Sequence, residues 1–509
     1  MSRMTRQMAA AAMIGLLLAA CAAPAAAPKA TEAPQAEAPK AGEAAQSAEL
    51  PPVTITYTYG GKVFKDVDMV SEALSAIAQK KINATIKLKP IDWGAFDEKM
   101  KLAFAAGEEC DIVFVAPWIN NYIQNIANGN IIPLDDLLPK YAPGLWKSMP
   151  ESSWDAARVG GKIYGVLNQQ IWVKPFGFTV RKDLANKYGL DVNAIQKYED
   201  LEPFIKAVKE GEPDIMPLTS AYNWMFETAG FDPIVSQQTP VAIRYDDKEL
   251  KVFNAAATPE FKASVELARK WYLAGYAPKD KIEGADSEAM WRAGQFAMSM
   301  AGVVKPGGDI EARQRFGQDV YQKSVTQPFL TTAAASATMN AICRTSKNPE
   351  RAMMVLELLN TDVEFYNLIS KGIEGRHWEW ADKENKVIKP GPNNADYNPN
   401  TDWEFGNQFN AYYIDPEQAK QKVWEATYKL NNDSPPSVAL GFNFNPDPVK
   451  TELANIAAVV KELSEPLTNG MVDPETALPE YLKRLDEAGL QTVIAETQKQ
   501  LNEWAQNRK

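Results

Sequence analysis

The chain has 509 residues, of which 45% are hydrophobic and 23% are charged, a composition typical of a globular protein. The formal net charge of −11 and the lack of a basic stripe argue against a nucleic-acid partner. The single histidine, His377, excludes a two-histidine metal site and weakens the case for a histidine-dependent hydrolase.

The N-terminus has the pattern of a secretory signal. Arg3 and Arg6 precede an apolar run over residues 9–20, and this run ends in Leu-Ala-Ala directly before Cys21. The run is too short to span a bilayer, which requires about 20 apolar residues. Leu-Ala-Ala-Cys is typical of a bacterial lipoprotein cleavage site. We therefore predict a signal peptide over 1–20 and a Cys21 that carries acyl chains such as palmitate at the extracytoplasmic face of the cell membrane. An ordinary signal peptide with an incidental cysteine is the alternative.

The segment after Cys21 has a biased composition. Residues 22–50 are almost wholly Ala, Pro, Glu, Lys and Gln, and such a segment cannot bury enough apolar surface to order itself. We predict that 21–50 is a disordered tether. As a loose coil it would reach roughly 30 Å, which keeps the folded part of the chain near the membrane.

The folded part is predicted to begin with alternating strands and helices. The apolar patterns predict strands over 53–59, 84–89 and 111–116 and helices over 70–81 and 96–106. This alternation is typical of βαβ units and a parallel sheet. Ligands of such sheets bind beyond the carboxyl ends of the strands.

Those strand ends carry aromatic and amide side chains. Tyr59 ends the first strand, Trp93 follows the second, and Trp118, Asn120 and Asn121 follow the third. We expect these five residues to lie at one edge of the sheet.

Several later blocks resemble a known family. They are Ser153–Gly165, Gly177–Asp183, Trp291–Met300, Met339–Met353, Leu359–Asp362, Gly372–Trp378 and the tail from Phe442 onward. Their residues and their order resemble the extracellular solute-binding proteins (family 1) of carbohydrate ABC transporters. The later blocks are similar to a LipO-like lipoprotein subgroup of that family with an extra C-terminal region.

The resemblance implies an α/β fold with two lobes of the type II periplasmic-binding-protein kind. Each lobe would have a central, mostly parallel sheet flanked by helices. The first lobe would comprise 51–170 plus 328–370. The second would comprise 171–327 plus 371–509, including the C-terminal helical region.

A hinge would join these lobes where the chain crosses between them, near 169–174, 324–329 and 361–372. This layout also bears on two cysteines. Cys110 would begin the third strand and Cys343 would end the strand that re-enters the first lobe, so both would lie at the same end of antiparallel neighbours. We expect two reduced core thiols and keep a disulfide as the alternative.

Sugar recognition, which the resemblance implies, requires aromatic rings for apolar CH faces and planar polar groups for hydroxyls. Residues of these types fall in segments expected to face the cleft. The predicted ligand-binding residues are Tyr59, Trp93, Trp118, Asn120, Asn121, Gln170, Trp172, Tyr222, Asn223, Trp224, Arg376, Trp378 and Asn407. Trp403 also has a loop context. Trp154 and Trp271 fall on helical patterns and are predicted to lie in the core. For Trp291 and His377 we keep both a core position and a cleft position as alternatives.

Two loops have weaker ligand-like patterns. The turn-rich 302–308 precedes a helix predicted to start near Asp309, but it lacks the spacing of a phosphate-binding P-loop, so we expect a turn at a lobe edge. Residues 396–404 place oxygen atoms at alternate positions, as in a calcium loop. However, Thr401 stands where that loop needs glycine. We expect a surface loop there, and we predict no metal and no cofactor.

The sequence thus favours a monomeric binding protein that is not an enzyme. It would capture an oligosaccharide in the interlobe cleft and deliver it to the permease subunits of an ABC importer, with a lipid anchor in the membrane. Lys174, Lys305 and Arg376 near the predicted cleft are weak support for an acidic sugar. The alternatives are a lipid-anchored glycan-degrading enzyme and a structural or signalling lipoprotein without a small ligand.

Overall fold

Residues 50–280, 282 and 284–507 are described in the computed structural model. The predicted signal peptide, Cys21 and residues 22–49 of the predicted tether lie outside these residues. Within the described residues, no helix has both the length and the apolar character needed to cross a membrane.

The first lobe is built on a five-stranded sheet. Its strands lie in the spatial order Ala84–Ile91, Val53–Gly60, Ile112–Val115, Met339–Ile342 and Val166–Leu167. The first three strands are parallel, and the last two pair antiparallel. The helices of this lobe are Val67–Ile82, Trp93–Ala106, Tyr122–Ala127, Leu138–Tyr141, Pro143–Lys147, Thr332–Ala335, Pro349–Thr361 and Val363–Lys371.

The five elements predicted at the start of the folded part are confirmed, and most are extended by one to three residues at their ends. Helix Trp93–Ala106 starts earlier than predicted because the Asp92 carboxylate accepts a hydrogen bond from Gly94 N at its N-terminus. It stops at Gly107, whose φ of +66° favours glycine. Strand Ile112–Val115 is wholly buried, as its unbroken apolar run predicts.

The second lobe contains a four-stranded sheet and a three-stranded sheet. The larger has the order Val320–Ser324, Phe176–Arg181, Phe296–Val303 and Met216–Leu218, and the smaller has the order Phe253–Asn254, Val241–Arg244 and Phe231–Asp232. The helices are Lys182–Lys187, Glu202–Gly211, Pro259–Leu273, Gly284–Arg292, Gly308–Phe316, Lys450–Thr468, Pro474–Glu487 and Leu490–Asn507. Trp271 is fully buried in the core of the larger sheet, as predicted.

The three C-terminal helices are part of this lobe. Their apolar side chains form one core with the smaller sheet, in which Ile456, Leu485 and Leu501 are fully buried together with Phe231 and Ile243. The C-terminal region therefore contributes to the folding of the lobe and is not an appendage to it.

The remaining elements are short. They are the paired strands Arg158–Val159 with Lys162–Ile163 and Trp378–Asp382 with Val387–Pro390, and the helices Pro416–Lys420 and Val423–Asp433. The 3-10 helices are Glu151–Ala157, Val192–Ala194, Tyr198–Leu201, Phe226–Ala229, Ala255–Ala257, Asn394–Asp396, Asp402–Glu404, Gln408–Asn410 and Asp447–Val449.

Two passages connect the larger sheets of the lobes. The first, 168–175, runs from strand Val166–Leu167 to strand Phe176–Arg181, and the second, 325–338, runs from strand Val320–Ser324 to strand Met339–Ile342.

The third passage lies far from 361–372, where we expected it. Phe365, Tyr366 and Ile369 of helix Val363–Lys371 are buried in the core of the first lobe, so the chain does not leave that lobe there.

Further residues that we expected in the second lobe lie in the first. Tyr397, Phe405 and Ala411 pack in the same first core. The third passage instead follows helix Val423–Asp433, where Leu330 N donates to Pro435 O and Val438 N donates to Tyr245 O.

Cys110 and Cys343 form a disulfide, so the expectation of two reduced thiols is wrong. The antiparallel register sets Ile342 opposite Ile112, and Cys343 N donates to Asp111 O. Cys110, directly before Asp111, therefore lies beside Cys343, with a Cα–Cα distance of 5.6 Å. This distance lies in the usual range for disulfides.

Replacing Cys110 and Cys343 together by serine should lower the free energy of unfolding of the first lobe by about 2–5 kcal/mol, because the bond closes a long loop in the unfolded chain. The measurement is urea unfolding followed by near-ultraviolet circular dichroism, with and without dithiothreitol. The reductant should destabilise the wild type and leave the double variant unchanged. Equal stability of the oxidised wild type and the double variant would contradict this role.

Candidate ligand-binding cleft

The first passage leaves the first lobe at the edge where its parallel strands end. Strands Val53–Gly60 and Ala84–Ile91 end side by side, with Gly60 opposite Ile91. Met339 pairs with Val115 on one side and with Leu167 on the other. The carboxyl ends of the parallel strands and the start of the hinge therefore share one edge.

The second lobe presents the same kind of edge to the hinge. Phe176, the first strand residue after the first passage, pairs with Val303. Strand Met216–Leu218 runs parallel to strand Phe296–Val303, so both point their carboxyl ends toward the hinge. Binding sites of α/β sheets lie at such ends, and the two edges define the interlobe cleft as the candidate site.

Three tryptophans form a cluster at the first lobe's edge, here called the tryptophan cluster. The ring centroids of Trp93 and Trp403 are 5.9 Å apart with an interplanar angle of 24°, and that of Trp118 lies 5.6 Å from Trp93 and 6.3 Å from Trp403. The side chain of Trp118 is 56% exposed. Trp93 and Trp403 are partly exposed, so the three rings together offer an aromatic surface at the cleft edge that a ligand can cover.

Local contacts fix the positions of these rings. A Cβ atom on Gly60 would fall inside van der Waals contact with the Trp93 ring, so only glycine lets the ring lie over the strand end. The Trp118 indole N–H donates to Ala337 O at 2.8 Å. Trp403 is held through its neighbour Glu404, whose carbonyl oxygen accepts hydrogen bonds from Tyr57 Oη and from Asn168 Nδ2.

The floor beneath the cluster consists of buried groups whose charged forms are disfavoured by burial. The Glu404 side chain is fully buried, and this burial raises the pKa of its carboxyl group well above the usual range. Burial also raises the pKa of Tyr57, Tyr59 and Tyr397 above the ordinary value of a tyrosine. Tyr59, a predicted ligand residue, thus lies in the floor and packs edge-on against Phe405 with the ring centroids 5.0 Å apart.

Gln170 brings an amide from the first passage to the cluster. Its Nε2 donates to Thr338 Oγ1 at 2.7 Å, and that hydroxyl lies 3.4 Å from the carbonyl oxygen of Trp403. Asn431 fixes the passage, since its Nδ2 donates to Gln170 O and its Oδ1 accepts from Trp172 N. Thr338 and Asn431 had no signal in the sequence that separated them from other polar residues.

In the second lobe, Tyr222 and Trp224 lie at the hinge end, a few residues beyond strand Met216–Leu218. Tyr222 is half-buried, and the Trp224 ring packs edge-on against Phe261 with the centroids 5.0 Å apart. Asn223 lies beneath them, buried, and its Nδ2 donates to Ala221 O and Ser264 O. Its amide nitrogen is thus engaged inside the lobe.

Two buried carboxyl groups lie where the second lobe meets the passages. Burial raises the pKa of Asp232 to about 7, although the Ser437 hydroxyl donates to it. Burial likewise raises the pKa of Glu227, and Lys174 of the first passage partly offsets this shift. Ser437 belongs to the third passage, so the two carboxyl groups interact with the first and the third passage.

Other predicted ligand residues make internal contacts. Asn120 Nδ2 donates to Phe114 O and its Oδ1 accepts from Asn125 Nδ2. Asn121 caps helix Tyr122–Ala127 by accepting from Gln124 N. These amides therefore fix the loop between strand Ile112–Val115 and helix Tyr122–Ala127, which carries Trp118.

Three more predicted residues are engaged inside the protein. The buried indoles of Trp172 and Trp378 donate to Asn168 O and Gly372 O, both at 2.9 Å. Asn407 Nδ2 donates to Asn360 O. Trp154 is fully buried, as predicted, and Trp291 is buried and stacks on Phe316.

Arg376 and His377 bind one carboxylate of the first lobe. Arg376 Nε lies 2.6 Å from Asp66 Oδ2, and His377 Nε2 lies 3.1 Å from the same oxygen. Because His377 Nδ1 accepts from Ile373 N, the ring carries its proton on Nε2. These bonds, led by that from His377, lower the pKa of Asp66. His377 is fully buried and structural.

Charged side chains of the two loops with ligand-like patterns form ion pairs within the protein. The first two pairs belong to the loop 396–404. Asp396 pairs with Lys65 at 3.0 Å, and Asp402 pairs with Lys371 at 2.6 Å. Across residues 50–280, 282 and 284–507, no group of three or more His, Cys, Asp and Glu side chains could hold a metal ion. The other loop leads into helix Gly308–Phe316, and its Lys305 pairs with Glu311 at 2.8 Å.

Two family descriptions match the chain. The family described as bacterial extracellular solute-binding protein matches residues 68–363. A domain of unknown function (DUF3502) matches residues 438–506, which include the three C-terminal helices.

A protein of Streptococcus pneumoniae serotype 4 (strain ATCC BAA-334 / TIGR4), described as a carbohydrate ABC transporter substrate-binding protein, is 30% identical over 465 residues, which are 90% of this chain and 92% of that protein. The crystal structure of the N-glycan transport solute binding protein (NgtS) from Streptococcus pneumoniae is 28% identical, with a TM-score of 0.78 over 90% of this chain and 100% of that chain. The structure of NgtS in complex with Man5GlcNAc gives a TM-score of 0.63 at the same identity and coverage.

Replacing Asp232 by asparagine should remove a loss of stability that develops as the pH rises from acidic to neutral values. The folded carboxyl keeps its proton up to about pH 7, whereas the unfolded one loses it near pH 4. The wild type therefore loses stability as the pH rises from about 4 to 7, by about 2–4 kcal/mol. Melting temperatures between pH 4 and 8 should converge at low pH and diverge at high pH, with the variant more stable. Asp246→Asn, at an exposed position, is the control, and parallel curves for Asp232→Asn and the wild type would contradict the assignment.

Proposed function

The chain belongs to the family of bacterial extracellular solute-binding proteins, and we propose that it captures an oligosaccharide in its interlobe cleft and delivers it to the permease of an ABC importer. The resemblance noted in the sequence is thereby confirmed, and this family membership implies a location outside the cytoplasmic membrane. The observation that carries the proposal is the tryptophan cluster, which lies at the cleft edge of the first lobe with Trp118 half exposed.

The chemistry of this edge suits a sugar. Indole rings cover the apolar CH faces of a pyranose, and the Gln170 amide can match neighbouring hydroxyls as donor and acceptor. Burial of the Glu404 carboxyl beneath the cluster disfavours its charged form. Because NgtS forms crystalline complexes with Man1GlcNAc and Man5GlcNAc, these two glycans are our first probes.

Lobe closure is the proposed consequence of binding. The NgtS structures are equally identical to this chain in sequence, yet the TM-score is 0.78 for the structure described without a glycan and 0.63 for the complex with Man5GlcNAc. The difference therefore reflects the conformation of NgtS. A ligand that contacts both lobes favours a closed state only by its higher affinity for that state, and hinge closure of this kind is common in binding proteins.

The anchor and the partners are proposed from the sequence. Cys21 would carry the lipid, and the tether would hold a monomeric binding protein within reach of the permease. The glycan would be released from the cleft chemically unchanged, whereas a glycan-degrading enzyme would release shorter products. A lipoprotein without a small ligand is the remaining rival.

Replacing Trp118 by alanine should weaken glycan binding at least tenfold, a loss of about 1.4 kcal/mol, because an exposed indole face is removed from the cleft. The measurement is isothermal titration calorimetry of the purified chain with Man1GlcNAc, Man5GlcNAc and a panel of neutral and acidic oligosaccharides. Gly60→Ala should weaken binding as well, since its Cβ displaces the Trp93 ring. Gly302→Ala is the matched control because its Cβ would meet open space.

Two outcomes would contradict the proposed function. One is a wild type that binds no glycan of the panel and shows no ligand-dependent change in melting temperature. The other is conversion of the bound glycan, seen by mass spectrometry as products of lower mass after long incubation.

Replacing Cys21 by serine should release the protein from the membrane, because the lipid attaches to the Cys21 thiol in this proposal. Fractionation of cells that express the wild type and the variant, followed by immunoblotting, measures the distribution. We expect the wild type in the membrane fraction and the variant in the soluble extracytoplasmic fraction or the medium. Equal distributions would favour an ordinary signal peptide.

A further inference from the structure

The second lobe contains a cavity that its C-terminal helices help to form. The cavity has a volume of about 270 Å³. Tyr222, Trp224 and Phe261 line one wall, and Val460, Ser464 and Tyr481 line the opposite wall. The second wall lies within residues 438–506, which match the domain of unknown function.

The cavity lies at the end of the second lobe that faces the hinge. Met298 pairs with Leu218 in a parallel register, and the same strand as Met298 continues to Val303, which pairs with the first strand residue after the hinge. The chain beyond Leu218 therefore runs toward the cleft, and Tyr222 lies four residues after Leu218. Glu227, which accepts from Gln237 of the cavity rim, is also close enough to Lys174 of the first passage to interact electrostatically.

The walls and the rim differ in chemistry. The walls are aromatic, and the Trp224 side chain is 7% exposed. At the rim, Gln237 and Gln238 are exposed. Gln237 Nε2 donates to Glu227 Oε1 at 3.2 Å, whereas the Gln238 amide makes no hydrogen bond within the described residues. Among the residues that the structure describes, the Tyr222 hydroxyl has only the Met225 sulfur as a partner, at 3.6 Å. Rings with amides and a hydroxyl at the opening can bind a sugar ring.

We propose that this cavity is a subsite for one outer sugar unit of the bound oligosaccharide and that the C-terminal helices supply one of its walls. Its volume lies just below the usual range of ligand pockets, about 300–1,000 Å³, so it suits a single unit and not a whole glycan. The inference rests on the proposed function, since it assigns a second contact to the same ligand. It gives the C-terminal domain a role in selecting glycans by length.

Filling the cavity from its C-terminal wall tests the subsite. Ser464 is half-buried on helix Lys450–Thr468, and Ser464→Trp would occupy the space. Calorimetry should show that Man5GlcNAc binds Ser464→Trp at least tenfold more weakly than the wild type. The affinity for Man1GlcNAc, which is short enough to use the tryptophan cluster alone, should stay within twofold. Ser464→Ala, which leaves the cavity open, is the matched control and should bind both glycans as the wild type does.

A second variant avoids any effect on folding. Gln238 is exposed, and its side chain makes no hydrogen bond to any other described residue. Gln238→Ala should therefore keep the wild-type melting temperature and weaken the binding of Man5GlcNAc about threefold, with the affinity for Man1GlcNAc unchanged. If Ser464→Trp fails to fold, the affinities of Gln238→Ala for the two glycans decide whether the cavity is a subsite.

The outcomes separate the subsite from the proposed function. Wild-type affinity of folded Ser464→Trp and of Gln238→Ala for Man5GlcNAc would overturn the subsite and leave the proposed function intact. Equal weakening of both glycans would also overturn it, because the effect would then not depend on glycan length. A wild type that binds neither these two glycans nor any other of the panel would overturn both.

Discussion

The antiparallel pairing of strand Met339–Ile342 in the first sheet is the constraint on which the rest of this structure depends. This strand lies between Ile112–Val115 and Val166–Leu167, and its register brings Met339 opposite both Val115 and Leu167. One passage therefore leaves the sheet, and another enters it, at the edge where the parallel strands end. Ligand sites of α/β sheets lie at that edge, so the same pairing that builds the hinge also places the tryptophan cluster beside it.

Buried polar contacts then tie the floor of the site to the hinge. The carbonyl oxygen of Glu404 accepts from Tyr57, Asn168 and Asn340, each from a different part of the chain. A buried group left without a partner costs about 1–3 kcal/mol, so these donors hold Trp403 at the start of the first passage. A change in the hinge can thus move the ring that would contact the ligand, which is the coupling that a closing binding protein needs.

The two ends of the first lobe are stabilised in different ways. The disulfide joins Cys110 and Cys343 at the end of the sheet opposite the cleft, where it restrains the unfolded chain without restricting the binding edge. The cleft end is held by hydrogen bonds and ring contacts, which can rearrange. In the second lobe the C-terminal helices share a core with the smaller sheet. This packing joins a region far along the chain to the same core as the smaller sheet.

The sequence by itself determined the local structure and the class of fold. Apolar alternation located the strands and helices from Val53 to Val115, and the strand-end rule identified Trp93 and Trp118 as residues of one edge. Periodicity reports the spacing of apolar residues along the chain, and this spacing reflects the local helical or extended conformation. Only the tertiary structure decided that Trp403 stacks on Trp93, that Cys110 bonds Cys343, and that helix Val363–Lys371 stays in the first lobe. Each of these depends on which distant segments meet. An amide such as Asn120 or Asn223 looks the same in sequence whether it faces a ligand or bonds the backbone, because its partner is chosen by packing and not by its neighbours in the chain.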